Sequence, residues 1–108
     1  MGTHPTPAAR IARWLDRLPR YLRARGVEAA YLFGSHARRD ADADSDIDLI
    51  LIAPSDRPFV ERFRDFHDVW FGAPTAVDLL IYTPEEFAEQ RRHNRFIRHV
   101  LRHAQRLL

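Results

Sequence analysis

Apolar positions along this chain follow two periods, helical and alternating, and the period changes wherever a turn former stands. Thr6-Pro7 opens a helix, an N-cap followed by proline at the first helical position, and Ile11, Leu15, Leu18 and Leu22 continue it as an apolar stripe. Pro19 is expected to kink or restart this helix, and Gly26 to close it. Val27 to Phe33 is a short apolar and aromatic run, read as a strand and interrupted by Gly34-Ser35. Ser35 is placed to cap a brief helical turn through Ala37 and Arg38. Residues 39–45 have no periodicity and read as loop. Ile47 and Leu49 to Ile52 form a β-branched run stopped by Pro54, the pattern of a strand buried on both faces.

A second helix is expected from Pro58 to Gly72, with Phe59, Phe63, Phe66 and Trp70 at helical spacing. Such a stripe can be a base-stacking platform, but this spacing reads as core. Ala76 to Tyr82 is the third strand. Thr83-Pro84-Glu85-Glu86 is a capping box that starts a last helix, expected to run to about Ala104. The order is helix, strand, turn, strand, helix, strand, helix. It predicts an α/β (α+β) fold, a small mixed β-sheet covered by helices, as a single domain over residues 1–108.

Composition narrows the chemistry. The apolar fraction of 45% supports a folded core, and the absence of cysteine excludes disulfides, thiolate zinc sites and thiol catalysis. All 17 basic residues are arginine, for which a GC-rich coding sequence is the plainest reading. With no lysine, Schiff-base and P-loop chemistry are excluded as well. Charge is segregated: Asp40, Asp42, Asp44, Asp46 and Asp48 form an acidic centre between arginine-rich ends, which suits a metal-dependent site for a polyanion. The start, MGTHPTPAAR, has no apolar stretch of signal-peptide length, and no run approaches the ~20 residues of a membrane span. A soluble cytoplasmic protein with no membrane contact is expected.

Asp46 and Asp48 lie two apart at the start of a strand, so their side chains project from one face. Two such carboxylates repel each other unless a cation lies between them, and an oxygen-only ligand set favours Mg²⁺, Mn²⁺ or Ca²⁺ over zinc. Asp78 interrupts an otherwise apolar strand. It is either a sheet-end aspartate satisfied by backbone N–H groups or an arginine, or a third ligand. If the two strands are neighbours, three carboxylates converge in an arrangement that suits two divalent ions on a triphosphate. Gly34 lets a phosphate approach the backbone, and Ser35 adds a hydroxyl and the amides of the following turn; alone, the pair would be read simply as a turn. An EF-hand reading of Asp40-x-Asp42-x-Asp44 fails, with Ser45 at the sixth position and Leu51 at the twelfth. Asp40, Asp42 and Asp44 then read as solvated loop residues.

Gly34-Ser35, ten intervening residues and Asp46-Ile47-Asp48 together resemble the signature of the DNA polymerase β nucleotidyltransferase superfamily. Phe33-Gly34-Ser35-x-Ala37-Arg38 and Ser45-Asp46-Ile47-Asp48-Leu49 are similar to its minimal nucleotidyltransferase (MNT) group. The match spans about Val27 to Tyr82 and departs at Arg39, where relatives often carry glycine. The resemblance implies the polymerase β-type nucleotidyltransferase fold. It implies that Asp46 and Asp48 ligate both of two Mg²⁺ ions, and that Asp78 ligates one and helps deprotonate the acceptor hydroxyl. Gly34 and Ser35 would hold the triphosphate of ATP, while Arg38 would either neutralise phosphate or brace the loop through Asp40 or Asp44. It further implies transfer of AMP to a hydroxyl, with a helical HEPN-type protein as partner and this chain as its antitoxin. The chain has no room for a domain presenting the acceptor.

The last helix carries weaker signals. His99 and His103 are one turn apart with His93 before them, but flanking arginines disfavour a zinc site. The arginine-rich stretch from Arg91 to Arg106 reads as a solvated face before a nucleic-acid surface. Phe96, Ile97, Val100, Leu101, Ala104, Leu107 and Leu108 would make a stripe wider than one small sheet can cover. That surplus implies a partner chain or a homo-oligomer through this helix. Two other functions compete with nucleotidyl transfer: a non-catalytic module that neutralises a partner by occlusion, and an arginine-driven nucleic-acid binder. Three costly carboxylates argue against the first of these.

Overall fold

The structure, a computed structural model, describes residues 5–42 and 44–108; residues 1–4 of the opening segment and Ala43 of the acidic loop lie outside the described residues. Helix α1 spans Pro7–Ala24, and the Thr6 hydroxyl accepts the Ala9 N–H at 3.1 Å. The helix is continuous through Pro19 and does not restart there. Leu18 and Leu22 are both buried, so packing holds the helix together across the hydrogen bond that proline forfeits. It ends in a Schellman motif: Gly26 takes a φ of 81°, Val27 N–H bonds Leu22 O and Gly26 N–H bonds Arg23 O, each at 3.1 Å.

Strand β1 (Ala29–Phe33) leads into the one-turn helix α2 (Gly34–Arg38), and the acidic loop returns the chain along β2 (Ile47–Ile52). Ser35 lies inside α2, whose N-cap is Phe33 with no side-chain bond, so the capping role expected of Ser35 is not observed. Next come a 3₁₀ helix (Phe59–Phe66) and a short helix α3 (His67–Phe71), where one α-helix was expected. The tighter winding turns Arg62 and Phe66 inward and leaves Phe59 and Phe63 each 41% exposed, so only part of the aromatic stripe is core. Strand β3 is Val77–Tyr82.

The last expected helix is two. Helix α4 (Pro84–His93) starts with the capping box, and α5 (Arg95–His103) starts at Asn94, whose Oδ1 accepts the N–H groups of Phe96 at 2.9 Å and Ile97 at 3.3 Å. The chain then leaves the helix, and strand β4 (Gln105–Arg106) pairs antiparallel with β1. Leu107 and Leu108 therefore pack on the α1 side of the sheet, while Ile97 and Val100 are buried on the other. The apolar surplus expected on one helix is thus divided between two cores, with Phe96 left exposed.

The sheet order is β3-β2-β1-β4, with β1 antiparallel to β2 and β2 parallel to β3. Strand β2 is central, and Leu49, Ile50 and Leu51 are fully buried, as its two-faced apolar run predicts. Ile47, Leu49 and Leu51 face α1 with Leu32, Phe66 and Ile81, while Ile50 and Ile52 face α4 and α5 with Phe87, Ile97 and Val100. Buried Arg62 ties the 3₁₀ helix to this frame. Its guanidinium donates to Arg57 O at 2.9 Å, to Ile81 O at 3.0 Å and to both carboxylate oxygens of Glu86.

Candidate active site

Strand alternation decides where the acids point. Asp48 shares parity with Ile50 and Ile52, and Asp78 with Leu80 and Tyr82, so both belong to the sheet face covered by α4 and α5, whereas Asp46, expected in the strand, stands one residue before it. They stand at its open end, where β1 finishes and β2 and β3 begin. The parallel register places Asp48 directly opposite Asp78. Two neighbouring strands thus bring these two acids together, as the sequence required for a shared site.

Burial raises the Asp48 carboxyl above its usual 3.8, followed by the charge of Asp78, a hydrogen bond to Asp78 and the charge of Asp46; His36 opposes the shift. Two carboxyls that crowd each other in this way form an oxygen donor set that a divalent cation can satisfy. Among the described residues, no three histidine or acidic side chains stand as a ready cage. Asp46 is exposed and acts on Asp48 through its charge, so it has to turn inward to share an ion with the pair.

Gly34 has a φ of 73°, and a β-carbon there would run into the Asp48 carboxylate. The glycine thus has a second structural cause beside phosphate access: it seats Asp48 against the turn. Half-buried Ser35 follows it at the start of α2. Arg38 lies 3.3 Å from Asp40 with both side chains largely exposed, so the loop-bracing contact exists and is weak. Arg39 takes a φ of 63°, the left-handed conformation that glycine adopts at least cost.

Asp40, Asp42 and Asp44 are exposed loop residues, as expected, and the loop is ordered by hydrogen bonds of its own. Asp42 Oδ1 accepts Asp44 N–H at 2.9 Å and the Ser45 hydroxyl at 3.1 Å, an Asx turn that delivers the chain into β2. Sequence reasoning gave His36 no role, yet its Nε2 lies 3.0 Å from Ser45 O and pins α2 to the residue before Asp46. Thr75 Oγ1 reaches the same carbonyl at 3.5 Å. No spacing rule marks such a contact, since it spans the whole loop. Beside Asp78, a cleft of about 430 Å³ opens along β3, lined by Phe63, Trp70, Ala76, Val77 and Leu79. The C-terminal histidines His99 and His103 meet edge to face with ring centroids 5.3 Å apart and, among the described residues, join no acidic side chain in a metal-binding group.

The family described as polymerase beta, nucleotidyltransferase matches residues 17–107. Among solved structures, a candidate minimal nucleotidyltransferase superposes with a TM-score of 0.60 at 26% identity, over 96% of this chain and 98% of its own. A toxin–antitoxin crystal structure with AMP-PNP gives a TM-score of 0.62 at 19% identity, over 87% of this chain and 72% of that one. A candidate nucleotidyltransferase from Sulfolobus solfataricus gives 0.55 at 22% identity, over 82% and 84% of the two chains. At such identities the last two likenesses carry the fold alone. No curated protein matches the chain significantly. No helix among the described residues is long and apolar enough to cross a membrane.

Proposed function

The chain belongs to the polymerase beta nucleotidyltransferase family, and from that premise we propose that it transfers AMP from ATP to a hydroxyl on a partner protein. The main support is the Asp48–Asp78 pair, opposed across two strands and pressed against a glycine that opens a helical turn. A non-catalytic binder has no use for such a pair, which costs stability. The resemblance to minimal nucleotidyltransferases makes a helical HEPN-type protein the partner class, with this chain as antitoxin. Toxin–antitoxin assemblies of the same fold, one holding AMP-PNP, agree with that reading.

Asp46, Asp48 and Asp78 would hold two Mg²⁺ ions. Bound there, the ions supply positive charge for the triphosphate and ease loss of the acceptor's proton. Gly34 leaves room for the phosphates and Ser35 offers its hydroxyl. Arg38 can leave its exposed partner Asp40 at little cost to face them. Asp78, exposed at the start of β3, takes the acceptor's proton. The acceptor oxygen then bonds the α-phosphorus, the bond to pyrophosphate breaks, and pyrophosphate leaves on the α2 side.

The test is thermal. Mg²⁺-ATP at a hundredfold excess over Kd should stabilise the fold by about 2.7 kcal/mol, a rise on the order of 10 °C for a domain of this size. EDTA or Asp48→Asn should remove that shift. An equal shift in EDTA would mean that ATP merely decorates the arginines, and would overturn the proposal.

A further inference from the structure

Strand β3 is the outer strand of the sheet, and part of its free edge is closed while part is open. Ala76 O and Tyr82 O accept from Ile47 and Ala53, so the even-numbered residues of β3 turn their backbone groups toward β2. The odd-numbered residues therefore turn theirs outward. At Ile81 the outward carbonyl is taken by buried Arg62. At Val77 and Leu79, among the described residues, no hydrogen bond from another element meets the backbone. These two residues border the cleft beside Asp78, opposite the half-exposed ring of Phe63 and the indole of Trp70. Trp70 is held in place by its Nε1–H on Phe63 O at 3.0 Å. A short stretch of bare strand edge thus faces an aromatic wall, and Arg62 stops it at the far end.

We propose that this edge docks an extended segment of the acceptor protein by strand addition, with the segment's hydroxyl residue in register with Asp78. The inference rests on the nucleotidyl-transfer reading and names how that site takes its protein substrate. Three observations converge on a peptide. Outward N–H and C=O groups at alternate residues are what an added strand pairs with, and the aromatic wall supplies contact for its side chains. Side chains opposite one another on adjacent strands share a face, with β-carbons roughly 5 Å apart. A serine, threonine or tyrosine paired with Asp78 would therefore present its oxygen on the face that carries Asp78 and Asp48. The donor lies elsewhere: Gly34 and Ser35 are at the end of β1, across β2 from β3. Attack from the β3 side and departure on the β1 side place the two oxygens on opposite sides of the phosphorus. A nucleobase stacked on Trp70 is the rival occupant, and a second copy paired edge to edge is another.

A pool of random heptapeptides displayed on phage is selected against the full chain in EDTA without nucleotide. Enriched peptides should protect the Val77 and Leu79 amides from hydrogen exchange, and should lose binding at least tenfold to Trp70→Asp and to Leu79→Pro. Proline there removes an N–H that faces outward, which an edge strand tolerates; a circular dichroism spectrum and melting curve for each variant exclude a folding defect. Trp70→Asp carries the test alone if Leu79→Pro does not fold. Selection of nothing, protection of other amides, displacement of the peptides by adenosine, or protection of these amides by concentration-dependent self-association would each overturn the proposal. The Mg²⁺-ATP melting shift is measured without peptide, so failure of the donor site and failure of this edge are read separately.

Discussion

Gly34 and Asp48 occupy each other's space, and that contact explains more than either residue does alone. A side chain at position 34 would displace the carboxylate as well as obstruct a phosphate, so Gly34→Val cannot separate the two effects. Asp48→Asn is the cleaner change. The Asp48 carboxyl titrates above its ordinary value in the fold, so the folded state binds its proton more readily than the unfolded chain does. Stability from this group is therefore present below pH 3.8 and is lost as pH rises through the raised folded value. Asp48→Asn should consequently raise the melting temperature of the nucleotide-free protein by a few degrees at pH 7, with the gain vanishing near pH 3. A lower melting temperature at neutral pH would show that the carboxylate is held by favourable contacts instead. Arg39 gives a second residue-scale prediction. Its left-handed backbone is strained for any residue with a β-carbon, so Arg39→Gly should stabilise by about 0.5–1 kcal/mol in urea unfolding. No change in the midpoint would show that strain at φ 63° is already relieved.

At the scale of elements, single side chains with specific partners, distant for Arg62 and local for Asn94, outweighed hydrophobic periodicity. Phe59 to Trp70 has helical spacing, but Arg62 reaches Ile81 and Glu86 and winds the segment into a 3₁₀ helix. Asn94 stands inside a helical pattern, yet it caps a new helix and lets α5 turn onto the sheet. The Arg62–Glu86 pair makes a prediction with a pH signature. The Arg62 hydrogen bonds hold the Glu86 carboxyl at about 2, against an ordinary 4.5. A depressed carboxyl gives stability that is present above pH 4.5 and is lost as pH falls toward 2. Arg62→Ala should cost about 2 kcal/mol or more at pH 7 and flatten the acid limb of the stability profile, measured by urea melts from pH 2 to 7. An acid limb as steep as that of the parent protein would assign it to other carboxylates.

Across the whole molecule, the last four residues close what would otherwise be a bare sheet edge. Leu107 N–H bonds Ala30 O at 2.8 Å and Ala30 N–H bonds Leu108 O at 3.2 Å, while both leucines cover the α1-side core. Ending the chain at Ala104 should cost about 2–4 kcal/mol in lost apolar contact and open the β1 edge to self-association. Urea midpoints and light scattering would register both effects, and a truncated chain as stable and monomeric as the parent would refute them. The same closure removes the reason for expecting self-association through a broad stripe on the last helix, because that stripe never exists as one surface. The apolar residues left exposed lie mainly on the 3₁₀ helix and α3, at Phe59, Val60, Phe63 and Phe71, of which Phe63 borders the open edge of β3.

Local chemistry determined much of this protein before any fold was known. Caps at Thr6 and Thr83, the left-handed glycine at 26 and the two-faced run of β2 depend on neighbours a few residues away, and each is where its sequence placed it. The candidate carboxylates were singled out for a similar reason: an acid in an apolar strand needs a partner, and Asp78 has Asp48 opposite it. Contacts between segments far apart in the chain were not legible. The parallel register that sets Asp48 against Asp78, the reach of His36 to Ser45 and the return of the C-terminus to β1 all join such segments. No period in a sequence records which strands become neighbours, because that choice minimises exposed apolar area and unpaired backbone over the whole chain at once. The sequence therefore supplied the chemical groups, and only the tertiary structure decided which of them meet and which edge stays open beside them.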